Sequence, residues 1–275
     1  MKRIRDVPRA ATVTKQGSES VRIRATSIRG DRLCRVMSVA HTPGDSSASA
    51  PPVGPERVFV LVPGIGMSRR YFLPLAATLA QHGSVHMIEF PGPGWTGTAL
   101  PPPTPIDSAM VIDHLLGELG VSSCTVIGHS LGAQAATELA VRRPDLVTDV
   151  ILIGPAVDTR HQTIPQQGMR LGVNSALESP ALKLLQFVDC LRCGPRWYAA
   201  QLRSSMTYRL DQRLPLVTQP VVIIRGHRDL VAGHRWCQRL VAKAQHGRLL
   251  EIPGESHCVH HSDPSTITDD IFRRS

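Results

Sequence analysis

Cys124-Thr125-Val126-Ile127-Gly128-His129-Ser130-Leu131-Gly132-Ala133 is the stretch that decides the fold. Its apolar opening, Cys124 to Ile127, reads as a buried strand, and the Ala-rich pattern from Gly132 to Val141 reads as a helix. Between them lies Gly-x-Ser-x-Gly, the turn that lifts a serine above the end of a parallel strand. Gly128 and Gly132 answer to sterics, because strand and helix approach so closely there that neighbouring side chains would clash. The five-residue pattern alone is common by chance. A strand before it and a helix after it make Ser130 the candidate nucleophile.

Working outward, Val58 to Val62 is a buried strand ended by Pro63-Gly64-Ile65-Gly66, with a helix expected from Arg69 to Gln81. Val85 to Phe90 is the next strand, closed by Pro91-Gly92-Pro93-Gly94-Trp95. Ala109, Ile112, Leu116 and Leu119 form one helical stripe ended by Gly120. Val150 to Ile153, Val221 to Ile224 and Leu249 to Ile252 are further strands, and Asp263 opens a terminal helix. Upstream, Val21 to Ala25 and Leu33 to Val39 make a hairpin about Arg29-Gly30-Asp31, followed by a surface connection, Pro43 to Pro55. Strands alternating with helices specify an α/β protein with a mostly parallel sheet, covered on both faces.

Residues 156–216 break this rhythm, being too long for a simple connection. They are expected to form a helical lid (cap) over the sheet's carboxyl edge, where open α/β sheets bind ligands. The expected organisation is a basic arm over residues 1–20, a core made of 21–155 and 217–275, and the lid between them.

A chain of 275 residues, 42% hydrophobic and 19% charged, suits one large globular domain with an insertion. No apolar run approaches the ~20 residues of a membrane span. The basic start Met1-Lys2-Arg3-Ile4-Arg5 leads into no apolar stretch, so a secretory signal is not expected. Six scattered cysteines fit the reduced thiols of a cytoplasmic protein. The net charge of +9 is concentrated in residues 1–35, with ten Lys/Arg against three acids. No nucleic-acid module accompanies that arm and aromatics are only 4% of the chain, so no nucleic-acid partner is expected. No phosphate-cradling glycine loop appears and no cofactor is expected. Cys190 and Cys193 have the spacing of a metal pair but lack a second pair, and read as packing.

A serine hydroxyl needs a base, a carboxylate to orient that base, and donors for a developing oxyanion. Asp229 follows the Val221–Ile224 strand and His257 follows the last strand, giving the order Ser130, Asp229, His257. Asp158 also follows a strand and is the competing acid. His129 is expected to pack beside the site, His227 to belong to the acid loop, and His260 and His261 to be a surface pair. Leu131 supplies one oxyanion amide and Ile65 the other, with Gly66 or Met67 in reserve.

With these pieces assembled, the chain resembles the α/β-hydrolase family. The matching segments are Pro63-Gly64-Ile65-Gly66, Phe90-Pro91-Gly92-Pro93-Gly94, Gly128-His129-Ser130-Leu131-Gly132, Gly226-His227-Arg228-Asp229 and Gly254-Glu255-Ser256-His257. The resemblance implies an eight-stranded sheet, a Ser130–Asp229–His257 triad and a lid between strands six and seven. It departs at the oxyanion loop, where many members have His-Gly, and after Asp229, where a proline commonly follows. Serine at 130 excludes the relatives that cleave carbon–halogen bonds or epoxides with aspartate. The implied activity is hydrolysis of a small-molecule carboxylic ester. The alternatives are a carbon–carbon bond, thioester or lactone cleaved by the same triad, or ligand binding without catalysis. Arg69 and Arg70, at the start of the helix after the oxyanion loop, are candidate clamps for a substrate carboxylate, as in a monoester of an aromatic dicarboxylic acid. Arg192, Arg196 and Arg203 in the lid are alternative clamps, and Gly64, Met67, Trp95, His129, Phe187, Trp197 and Tyr198 are the candidate pocket walls.

Overall fold

Alternation along the strands sets the layers. In β3 (Arg57–Val62), Val60 and Val62 face one side of the sheet and Phe59 and Leu61 the other. In β6 (Val147–Ile153), Val150 and Leu152 are divided from Ile151 and Ile153 in the same way, and in β7 (Val221–Gly226) Ile223 is divided from Ile224. Strands apolar on both faces must be covered on both. The computed structural model describes residues 19–28, 32–41, 57–90, 103–158 and 163–273. Its eight strands run in the order β1-β2-β4-β3-β5-β6-β7-β8. β1 (Glu19–Ile28) and β2 (Arg32–His41) are antiparallel, and β2 is antiparallel to β4 (Gly83–Glu89). From β4 through β3, β5 (Cys124–His129), β6 and β7 to β8 (Gly247–Ile252), every pairing is parallel.

Helices α1 (Leu73–Leu79) and α10 (Pro264–Phe272) cover one face through Leu75, Leu79 and Ile267. The other face is covered by α2 (Pro105–Glu118), α3 (Gly132–Arg142) and α8 (His234–Lys243), through Ile112, Leu139 and Leu240. Each of these fully buried side chains stabilises the fold by about 1.5–3 kcal/mol as an upper bound.

The expected helix from Arg69 to Gln81 is divided into a 3-10 turn, Arg69–Phe72, and α1. Pro74, in the first turn of α1, has no N–H with which to continue a preceding helix. α2 begins ahead of its apolar stripe because Thr104 and Asp107 form a reciprocal capping box. β1 starts at Glu19, two residues inside the stretch expected to form the arm. Residues 1–18, the Arg29-Gly30-Asp31 turn, the Pro43–Pro55 connection and the Pro91–Trp95 segment lie outside the described residues.

Between β6 and β7 come α4 (Ile164–Leu177), α5 (Pro180–Cys193) and α6 (Pro195–Met206), then α7 (Leu210–Arg213) and a 3-10 turn, Leu214–Leu216. Thr163 and Ser179 cap α4 and α5, each followed by a proline in the first turn. The stretch divides in two. Leu210, Leu214 and Val217 join the core beside α3, whereas Leu171, Tyr198 and Leu202 pack with Ile65, Leu131 and Val231 at the sheet's carboxyl edge. Among the described residues, no helix is long and apolar enough to cross a membrane.

Candidate active site

The β5–α3 turn is as tight as its two glycines imply. A Cβ on Gly128 would come within 2.6 Å of the Gly132 carbonyl oxygen, and one on Gly132 within 2.3 Å of that of Val62. Ser130 takes φ = 54°, a left-handed conformation that costs a non-glycine residue about 1–3 kcal/mol. The turn is held by hydrogen bonds from the Ser130 amide to the Ile153 carbonyl (2.8 Å) and from the Ala156 amide to the Ser130 carbonyl (3.3 Å).

Asp229 lies three residues beyond β7. Its Oδ1 accepts from the amides of Val231 (2.8 Å) and Ala232 (2.9 Å), which leaves Oδ2 to meet His257 Nδ1 at 2.9 Å. Burial pushes this carboxyl up, but attraction to His257 and the bonds from that ring and the two amides outweigh it, leaving the pKa below the ordinary value. For His257, burial acts downward while the attraction and hydrogen bond of Asp229 act upward and prevail, so the imidazole is more basic than usual. Among the described residues, the buried Nε2 of His257 has no hydrogen-bond partner, and His257 and Ser130 line the same cavity. The competing acid, Asp158, is turned toward Arg239, 2.7 Å away.

Two residues that sequence reasoning missed shape this pair. Gly154, at the end of β6 with φ = 53°, lies against it; a Cβ there would approach His257 Nδ1 to 2.8 Å and Asp229 Oδ2 to 3.1 Å. Arg225, buried near the end of β7, donates to the carbonyls of Ala232 (2.9 Å), His227 (3.0 Å) and Asp229 (3.0 Å) and pairs with Glu251. It fixes the acid loop where a proline is missing. An arginine inside an apolar strand was the available signal.

The loop after β3 presents the second half of the site. The Met67 amide closes a turn onto the Gly64 carbonyl (3.3 Å), which removes it as a donor to any ligand. The amides of Ile65, Gly66 and Leu131 have no protein acceptor among the described residues. A buried bridge links this loop to the histidine loop. The Gly64 amide donates to Tyr71 Oη (2.7 Å), Tyr71 Oη meets His129 Nδ1 (3.3 Å), and His129 Nε2 meets the His257 carbonyl (3.2 Å). An amide can only donate and a carbonyl only accept, so the protons are determined: Nε2 of His129 carries one, and Nδ1 accepts from the tyrosine. Burial, followed by the neighbouring His260 and His257 rings, holds the His129 pKa well below the ordinary value, in keeping with this neutral tautomer.

His260 is not at the surface as expected. It is fully buried, with its ring edge-on to Tyr71 at 4.7 Å, and His261 is half-buried with Nδ1 3.0 Å from the Tyr71 carbonyl. The short helix α9 (Val259–Ser262) turns inward beneath the 3-10 turn, which sequence periodicity over four residues cannot reveal. Ligand atoms of His129, Cys258 and His260 lie within 4.8 Å of one another, but both His129 nitrogens are already engaged and burial keeps the Cys258 thiol protonated.

A cavity of about 290 Å³ opens above Ser130, at the small end of the range for ligand sites. Gly64, Ile65 and Met67 line it from the core, and Leu171, Phe187 and Tyr198 from α4–α6. Trp197 lines a separate crevice with Met67 and Phe90, and Trp95 lies outside the described residues. Arg69 and Arg70 do not line the cavity. Arg69 meets Glu89 at 2.7 Å, and Arg70 meets Asp189 at 3.2 Å, a fully buried carboxylate on α5 that requires a cation. Cys190 and Cys193 are free thiols, as is Cys258, which lines the cavity and accepts from Gln186 Nε2 at 3.3 Å.

A mostly parallel sheet with a serine on a strained strand-to-helix turn, above which an aspartate-held histidine opens into the same cavity, defines the α/β-hydrolase class of protein. The model of the alpha/beta hydrolase family matches residues 59–269, and the chain belongs to that family. Among its relatives, "Putative carbamate hydrolase RutD" of Caulobacter segnis is 22% identical over 81% of this chain and 92% of its own length. A pimeloyl-[acyl-carrier protein] methyl ester esterase of Nitrosospira multiformis is 25% identical over 80% of this chain and 94% of its own. The enol-lactonase of Burkholderia xenovorans LB400 has the same fold, with a TM-score of 0.67 at 16% identity, over 91% of this chain and 98% of that one.

Proposed function

We propose that this hydrolase cleaves a small carboxylic ester through an acyl-enzyme on Ser130. The observation that carries the reading is the shared cavity of Ser130 and the unpartnered Nε2 of His257, whose other nitrogen is held by Asp229. In this reading Nε2 takes the hydroxyl proton as Ser130 Oγ attacks the ester carbonyl. The negative charge formed on the carbonyl oxygen is met by the amides of Ile65 and Leu131. The tetrahedral species collapses, the ester C–O bond breaks, and His257 returns the proton to the departing alkoxide. Water then attacks the acyl-enzyme, giving its proton to His257, and the acid leaves as Ser130 is reprotonated. Helices α4–α6 act as the lid that excludes bulk water, and the apolar faces of Leu171, Phe187 and Tyr198 hold the substrate's carbon chain. The names of relatives that act on a methyl ester and on a carbamate support acyl transfer to water as the reaction type. The free thiols favour a reducing, cytoplasmic location.

The test is a fluorophosphonate probe followed by a panel of short-chain and long-chain chromogenic esters. Ser130 is expected to carry the label, and Ser130→Ala to lose at least about 10⁴-fold in kcat with an unchanged melting temperature. Ester turnover that survives Ser130→Ala would remove the nucleophile, and with it the reading.

A further inference from the structure

We infer that the cavity contains an anion subsite at Lys183, and that the ester it takes carries a second, negatively charged group, most simply a carboxylate. This inference rests on the ester reading above and deepens it. Most polar side chains lining the cavity are already engaged. Tyr71 and His129 belong to the bridge beneath the site. Asn174 donates to Glu178 Oε1 (3.3 Å) and accepts from the Leu230 amide (3.0 Å). Ser175 Oγ is bonded to Gln186 Oε1 at 2.7 Å, and the other end of Gln186 is on Cys258. Once Ser130 and His257 Nε2 are assigned to chemistry, the Lys183 ammonium is the one charged group left along this wall. Among the described residues it pairs with no carboxylate.

Helix geometry agrees with this placement. Lys183, Phe187 and Cys190 stand at i, i+4 and i+7 on α5, one stripe of that helix, and all three line the cavity. The stripe runs about 10 Å from Lys183 to Cys190. The contact of Gln186 with Cys258 puts its middle beside the residue that follows His257. Tyr198, the remaining neutral donor, lies at the opposite end, its ring 3.2 Å from where a Gly66 Cβ would sit. An ester bound at Ser130 therefore meets an apolar middle at Phe187 and a cation one turn further on.

Among the described residues, no carboxylate lies within ion-pair distance of that cation. Between residues 163 and 207 there are five Lys/Arg and two acids. Glu178 is buried and bonded to the Cys258 amide, and Asp189 is buried and bonded to the Ser68 amide and Arg70. A half-buried lysine lining a cavity whose described lining holds no carboxylate favours a charged ligand over its neutral isostere.

The experiment compares monomethyl adipate, with the charge on the acyl side, carboxymethyl hexanoate, with the charge on the alcohol side, and methyl hexanoate, with no charge. In wild type, kcat/KM for at least one charged ester is expected to exceed that for the neutral one by about tenfold. Lys183→Met is expected to reduce that ratio about tenfold, chiefly through KM, Lys183→Arg to retain it and Lys183→Glu to invert it. Added salt should reduce the ratio in wild type and leave it flat in Lys183→Met. An equal ratio in wild type and Lys183→Met overturns the subsite while leaving the ester reading intact. If wild type turns over none of the three esters and Ser130 takes no label, the ester reading is what has failed. Calorimetric titration with adipate then decides the subsite by itself, since equal affinity for wild type and Lys183→Met, or none for either, overturns it.

Discussion

Below the cavity, the strand-end loops are tied down atom by atom. Asp229 accepts three hydrogen bonds, Arg225 donates to three carbonyls, and Gly64 is linked to His257 through two buried rings. Above it, α4 and α5 leave Met169, Val173, Leu177, Leu184, Phe187 and Leu191 exposed, the least of them by 44%. The lower region is fixed by buried hydrogen bonds, as the proposed acyl transfer would require. The upper region offers exposed apolar surface, of which Phe187 reaches the cavity. On the reading proposed above, the contrast places the bond-breaking chemistry in the core loops and the choice of substrate in the inserted helices.

The strongest way to break this division is Asp229→Asn. With the histidine's orientation and tautomer lost, kcat should fall by about 10³–10⁴-fold while KM changes little. A loss below tenfold, with Asp158→Asn the damaging change instead, would move the acid. Next in size is Tyr71→Phe, which takes the hydroxyl from the bridge. We expect kcat to fall about 10–100-fold, less than the loss of a whole oxyanion donor, and stability to fall by about 1–2 kcal/mol. A variant with lowered melting temperature but unchanged kcat would make the bridge a matter of packing alone.

A smaller effect sharpens the same contrast by pH. His257 serves as a base only when neutral, and Asp229 holds its pKa above the ordinary 6.5. Activity should therefore be lost on acidification at a midpoint above 6.5, and kcat/KM against pH in wild type measures it. A midpoint below 6.5 would contradict the pairing. Smallest is Phe187→Ala, on the upper side, where KM for long-chain esters should rise a few-fold and stability should change by less than about 0.5 kcal/mol, since the ring is exposed.

The fold was legible because its strands are short apolar runs bounded by glycine and proline, and because two-residue alternation survives in Phe59–Val62 and Val150–Ile153. The order of Ser130, Asp229 and His257 along the chain was legible for the same reason: each follows a strand end. What was hidden depends on partners distant in sequence. Nothing local to Arg70 reveals that Asp189, 119 residues away, would engage it, and nothing local to His260 shows that Tyr71 would cover it. Lys183 was passed over because a single lysine on a helix looks like solvated surface until the other polar groups around the cavity are seen to be engaged.

The bridge between Gly64 and His257 gives the protein two imidazoles with opposite responses to acid. Asp229 raises the proton affinity of His257, whereas burial lowers that of His129, which is enclosed by Tyr71 and His260. As pH falls, His257 is therefore protonated before His129, and the bridge joining the two loops keeps its arrangement of hydrogens. On the proposed reading, turnover should therefore fall in mild acid while this bridge stays intact.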